Sequence, residues 1–179
     1  ARRNDVAASP RLISDVEVLL PAGGSTQLSS LLQNDGRITI VNFIYTRCVT
    51  LCLAMGSEYQ QLQKAIVEEG LQDRIRLLSI SFDPTDSPDH LRRYSKTMKA
   101  NPDVWQFVTM MPGEQRQRVL DDFGIVVIPA PFDEYEHNAA YHVVSSEPRL
   151  GRIVDYGEPM LALAYAKRAL EDLDKKGAM

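Results

Sequence analysis

The chain contains two cysteines, Cys48 and Cys52, four residues apart at the end of its most apolar run, Val41-Asn42-Phe43-Ile44-Tyr45. Two thiols at this spacing can close a disulfide, exchange with another disulfide, or grip a soft metal ion. A disulfide or a shared metal needs the sulfurs to meet, and a helix beginning after Cys48 would stack positions four apart on one face. Arg47 beside them and the positive end of that helix dipole would both favour the thiolate, the form that attacks disulfides and binds metals. Met55, Tyr59, Leu62 and Ile66 step by four, three and four, which predicts such a helix with one apolar stripe, ending at Gly70.

The strand feeding this helix spans residues 38–45 and is apolar on both faces. That pattern belongs to the middle of an open α/β sheet covered on each side. Residues 75–82 read as a second interior strand, and strand, helix, strand implies a right-handed crossover. Ser87 followed by Pro88 predicts a helix start, with Leu91, Tyr94 and Met98 inward. Residues 104–109 predict a third strand nearer an edge, and residues 113–123 a short helix burying Val119, Leu120 and Phe123.

Between residues 124 and 138 the periodicity fails. Pro129, Pro131 and the acidic run Asp133-Glu134-Tyr135-Glu136 describe a loop that carries His137, and a loop of this length is uncommon without a function. Residues 139–145 and 152–156 predict an antiparallel pair joined through 148–151. A closing helix from Pro159 turns Leu163, Ala166, Leu170 and Leu173 inward. At the other end, residues 1–12 read as a flexible lead-in. Residues 13–20 predict a strand that the turn Pro21-Ala22-Gly23-Gly24 folds back into a hairpin, and residues 28–32 a single helical turn. The whole is a thioredoxin-like α/β fold: a central mixed sheet flanked by helices, with an added N-terminal β-hairpin, and residues 13–179 forming one domain.

A chain of 179 residues with 44% hydrophobic and 25% charged residues suits one soluble, monomeric domain with a full core. The net charge of -4, without a basic stripe, argues against nucleic acid as a partner. No apolar run reaches the roughly 18 to 20 residues that span a bilayer. The opening Ala1-Arg2-Arg3-Asn4 lacks an initiator methionine, so a processed or trimmed N-terminus is expected. There is no Gly-rich phosphate loop, no His-Glu-x-x-His helix and no Gly-x-Ser-x-Gly elbow, so nucleotide, metalloprotease and esterase chemistry have no footing.

Several stretches in order resemble one family. Phe43-Ile44-Tyr45-Thr46-Arg47-Cys48 with Cys52, then Ser79-Ile80-Ser81-Phe82-Asp83-Pro84 with Asp86-Ser87-Pro88, then a late histidine and Gly151-Arg152-Ile153-Val154-Asp155-Tyr156, are similar to the Sco/SenC family of thioredoxin-fold copper-binding proteins. The resemblance covers most of residues 16–171. Val49 and Leu53 stand where the family often has proline after each cysteine. The resemblance implies an extracytoplasmic, periplasmic protein tethered to the membrane. It would deliver copper to the dinuclear copper site of cytochrome c oxidase or reduce that site's cysteines. Its partners would be the copper-site subunit of the oxidase, a periplasmic copper donor and a thiol reductant.

By the same resemblance Cys48 and Cys52 are thiolate ligands and His137, between Glu136 and Asn138, is the third. Two thiolates and an imidazole suit Cu(I), imidazole also suits Cu(II), and zinc would accept the same donors. The competing expectation is a thiol-disulfide oxidoreductase in which Cys48 attacks, Cys52 resolves and His137 has no part. His142, on a predicted strand, and His90, in a first helical turn, are expected to be packing and surface residues. Asp83 would end a strand near the same sheet edge, where it could steer a partner.

Overall fold

The structure is a computed structural model that describes residues 2–48 and 51–177, with side chains described for 5–48 and 53–177. In chain order it runs α1 (Arg2–Ala8), β1 (Arg11–Leu12), β2 (Glu17–Leu19), β3 (Ser25–Gln27), α2 (Leu28–Gln33), β4 (Ile38–Ile44), α3 (Leu51–Glu68) and β5 (Ile75–Ser81). It continues through α4 (Pro88–Thr97), β6 (Trp105–Met110), α5 (Glu114–Phe123), β7 (Val127–Ala130), β8 (Glu134–His137), β9 (Ala140–Val144), β10 (Arg149–Asp155) and α6 (Pro159–Gly177).

β4 and β5 are buried at every position and run parallel in register, Ile38 opposite Ile75 through Ile44 opposite Ser81. Both faces are covered, so neither strand alternates. α3 makes the crossover between them and buries Met55, Tyr59, Leu62 and Ile66, the predicted stripe. Tyr59 reaches through the core to donate to the Ile40 carbonyl at 2.8 Å, which satisfies its buried hydroxyl. The described strands form a mixed eight-stranded sheet, β1-β10-β9-β4-β5-β6-β2-β3, in which β9 runs antiparallel to β4 and β6 parallel to β5. With helices flanking this sheet, the fold is the expected thioredoxin-like one.

The start of α4 follows its sequence closely. Ser87 accepts from the His90 backbone N–H at 3.2 Å, and the His90 ring Nδ1 accepts in return from the Ser87 N–H at 3.0 Å. This reciprocal cap, with Pro88 at the first helical position, satisfies two N–H groups otherwise lacking partners.

Other expectations are corrected. The lead-in holds regular structure that its sequence did not indicate: α1 buries Val6 and β1 pairs antiparallel with β10. One apolar anchor and one short edge pairing leave almost no periodic trace. The N-terminal hairpin exists but its strands are only three residues each, Glu17 opposite Gln27, and β2 extends the main sheet by pairing with β6. The stretch expected to be a loop holds a second, two-stranded sheet, β7 against β8. β10 begins at Arg149, so the connection from β9 is residues 145–148 rather than 148–151. Leu173 is 42% exposed because residues 171–177 of α6 extend past the surface that Leu163, Ala166 and Leu170 pack against.

Candidate functional site

Three segments converge at the carboxyl ends of β4 and β5, the edge where open α/β sheets place ligands. The first follows β4. The Cys48 N–H donates to the Tyr45 carbonyl at 3.1 Å, closing a tight turn. Cys48 therefore lies ahead of α3, and the expected meeting of its sulfur with that of Cys52 lies outside the described residues. Cys52 falls in the first turn of α3. Its side chain, and Val49, lie outside the described residues. Cys48 is 8% exposed.

The second segment follows β5 and fastens the first. Asp86 accepts from the Thr46 N–H at 2.9 Å and the Thr46 hydroxyl at 2.6 Å, and from the Ser81 hydroxyl at 2.7 Å. Asp83, with its side chain fully buried, accepts from Arg47 at 2.8 Å and from the Thr85 N–H and hydroxyl at 2.9 and 2.8 Å. Burial alone would raise the Asp83 pKa. The Arg47 hydrogen bond, the two from Thr85 and the Arg47 charge outweigh it and hold the carboxyl below its ordinary 3.8. The Arg47 guanidinium, expected to act on the thiols, is thus engaged with Asp83. Arg116 also donates to the Phe82 carbonyl, tying α5 to this edge.

The third segment is the β7–β8 hairpin. Tyr45 donates to Glu134 Oε2 at 2.5 Å, and the Tyr135 N–H donates back to the Tyr45 hydroxyl at 3.3 Å. Burial, then the Glu134 hydrogen bond, push the Tyr45 phenol well above its ordinary range, and Cys48 adds to this through its charge and a hydrogen bond. Tyr135 stands edge-on to Tyr45 at 5.1 Å and to Phe82 at 5.4 Å. His137, the last residue of β8, lies with its ring 4.9 Å from Phe82 and 6.0 Å from Tyr45, centroid to centroid. Tyr45 is therefore a common neighbour of Cys48 and His137.

His137 Nδ1 lies 3.0 Å from the Asn138 carbonyl oxygen. A carbonyl can only accept, so Nδ1 carries a proton, and in the neutral ring Nε2 carries the lone pair. Nε2 is buried and has no hydrogen-bond partner among the described residues. Such a nitrogen, with the opposite ring N–H fixed by a carbonyl, is the arrangement of a metal-binding imidazole.

The remaining candidates are placed elsewhere. His142 sits on β9 with its ring 5.8 Å from Phe43 and 5.0 Å from Phe123, a core position. His90 serves the α4 cap. Sequence reasoning missed Tyr45 and Glu134 as partners, and also Asp86. Tyr45 lies within the cysteine motif and Glu134 within the acidic run, but nothing local signals that they meet across 89 residues.

Several known proteins are similar to this chain. A curated relative, the SCO1 protein homolog of Bacillus subtilis, is 28% identical over 131 residues, which are 72% of this chain and 65% of that protein; the chain thus matches somewhat under two thirds of its relative's length. A SCO1/SenC family lipoprotein from Bacillus anthracis superposes with a TM-score of 0.74 at 18% identity, covering 89% of this chain and 96% of that one. BsSco, described through a disulfide switch and as a member of the Sco family of cytochrome c oxidase assembly proteins, gives 0.67 at 21%, covering 89% and 95%. Arabidopsis thaliana ScoI with copper bound gives 0.71 at 15%, covering 89% and 99%. At these identities the structures establish the shared fold. The SCO1/SenC family model matches residues 26–170, and the chain belongs to that family.

Proposed function

We propose that the protein binds one copper ion through Cys48, Cys52 and His137 and serves the assembly of the dinuclear copper site of cytochrome c oxidase. The observation that carries this reading is the buried Nε2 of His137, without a hydrogen-bond partner among the described residues, beside the Tyr45 that also touches Cys48. Leaving such an atom desolvated and unmatched is costly unless a ligand fills the position. Two thiolates and one imidazole are soft enough for Cu(I), and the imidazole suits Cu(II) as well. Three donors from two segments leave a position at which a recipient can enter, so copper here is cargo.

Support for copper also comes from the copper-bound Arabidopsis relative, and for the oxidase from the BsSco relative's assembly role. An extracytoplasmic, membrane-associated setting is supported by the Bacillus anthracis lipoprotein. Among the described residues no helix is long and apolar enough to cross a membrane. The partners on this reading are the copper-site subunit, a copper donor and a thiol reductant, meeting a monomeric domain.

The test is anaerobic Cu(I) titration of the reduced protein beside its Cys48→Ser, Cys52→Ser and His137→Ala variants. Each substitution is expected to lower affinity about tenfold or more. If His137→Ala binds copper like the parent while thiol-disulfide exchange is strong, the dithiol oxidoreductase reading replaces this one.

A further inference from the structure

Cys48 also borders an open groove of about 410 Å³, walled by Arg47, His90 and Arg93 with Leu53 and Met98. No carboxylate is among the described residues that line it. Two arginines without a carboxylate line it in a chain whose net charge is -4. Arg47 is matched by Asp83, and the neighbouring Arg92 by Asp89. Arg93 is matched by no carboxylate among the described residues; its Nε reaches only the Asp89 backbone carbonyl at 3.5 Å. Leu53 is 48% exposed, so the groove also offers apolar surface next to its charge.

We infer that this groove docks an acidic, cysteine-bearing peptide segment of the partner protein, with the partner's carboxylates at Arg93 and its sulfur brought to Cys48. A cationic or neutral segment would gain only the apolar contact. An anionic one gains a complementary charge that the rest of this acidic surface repels, so the groove would set both approach rate and register. The inference rests on Cys48 being a reactive thiol of the proposed site, but it does not need copper.

The test uses Cys52→Ser protein, in which Cys48 is the sole thiol, and two synthetic peptides with one cysteine flanked by glutamates or by lysines, each capped as a mixed disulfide with thionitrobenzoate. The Cys48 thiolate attacks the peptide sulfur, a protein-peptide S–S bond forms, the capping S–S bond breaks, and thionitrobenzoate leaves as a coloured thiolate. Rates are normalised to those with the protein unfolded in denaturant. The glutamate peptide is expected to react about tenfold faster than the lysine peptide at low salt, with the ratio falling towards one at high salt. Overall charge alone predicts the reverse order, so a ratio below one overturns the inference. Arg93→Glu should abolish the preference and Arg93→Gln should reduce it, while Arg118→Glu on α5 should leave it unchanged. A preference that survives Arg93→Glu also overturns it. Copper titration of the Arg93 variants is expected to match the parent, which separates failure here from failure of the copper reading.

Discussion

The phenol of Tyr45, one residue past β4, donates to the carboxylate of Glu134 on β8 at 2.5 Å and accepts from the Tyr135 N–H, so the segment bearing Cys48 is fastened to the hairpin bearing His137. A hydrogen bond to a charged group is worth about 1.5 to 3 kcal/mol, so the latch can decide where the hairpin rests. It makes Tyr45 a positioning residue. Tyr45→Phe removes the O–H while keeping the ring against Phe82 and Tyr135. It is expected to weaken copper binding about tenfold and shift the Cu(II) charge-transfer band, leaving the melting temperature within a few degrees. Glu134→Gln keeps an acceptor and should retain most of the affinity. Unchanged affinity and spectrum in Tyr45→Phe would show that the hairpin is held by ring packing alone.

Asp83 gives the edge a pH dependence. Its folded pKa lies below the ordinary 3.8, held there by Arg47 and Thr85 against burial. The stability this contributes is fully present above the unfolded value and is lost as pH falls through the folded one. Asp83→Asn should therefore lower stability by about 1 to 2 kcal/mol at neutral pH. It should also flatten the acid limb of a denaturation series below about pH 4. Parent and variant differing equally at pH 7 and pH 2.5 would contradict this.

At the opposite end of the sheet Arg76 is 1% exposed and is met by Thr39 Oγ1 at 3.0 Å and by Asp35 at 3.4 Å. Burial lowers its pKa to about 10 even with Asp35 opposing. Asp35 also accepts from Arg37 at 2.7 Å. Asp35→Ala would leave a buried guanidinium without its counter-charge, and is expected to cost about 3 kcal/mol in urea denaturation. Thr39→Val, which removes only a neutral acceptor, should cost less. The reverse order would mean that the hydroxyl, and not the carboxylate, keeps Arg76 buried.

What the sequence made legible is what local pattern encodes. The unbroken apolar runs of β4 and β5, the stripe of α3 and the Ser87-Pro88 start of α4 each follow from neighbours within one or two turns. The β7–β8 hairpin was hidden because Pro129 and Pro131 are poor strand residues, and a two-stranded ribbon outside the main sheet has no buried face to impose alternation. The tight turn from Tyr45 to Cys48 and the Asp86 contacts to Thr46, which hold the segment ahead of α3, are tertiary and leave no local trace. His137 was legible as a residue through family likeness, but its tautomer and its neighbours were not, since they depend on Asn138, Phe82 and the Tyr45 latch.

The tip of that hairpin offers a test of backbone strain independent of metal. Phe132 and Asp133 have φ of 62° and 58°, and Phe132 is 97% exposed. A bulky L-residue pays about 1 to 2 kcal/mol in the left-handed region, and here no burial offsets the cost. Asparagine tolerates this conformation better than phenylalanine and avoids the extra backbone entropy of glycine. Phe132→Asn is therefore expected to stabilise the fold by about 0.5 to 1 kcal/mol, seen as a higher urea midpoint with an unchanged slope. Copper affinity should stay the same, because the substitution leaves β8 and the Glu134 contact to Tyr45 intact. A lower midpoint would show that the Phe132 ring makes contacts in solution that its exposure does not reveal, and would move the source of hairpin order from the Tyr45 latch to its tip.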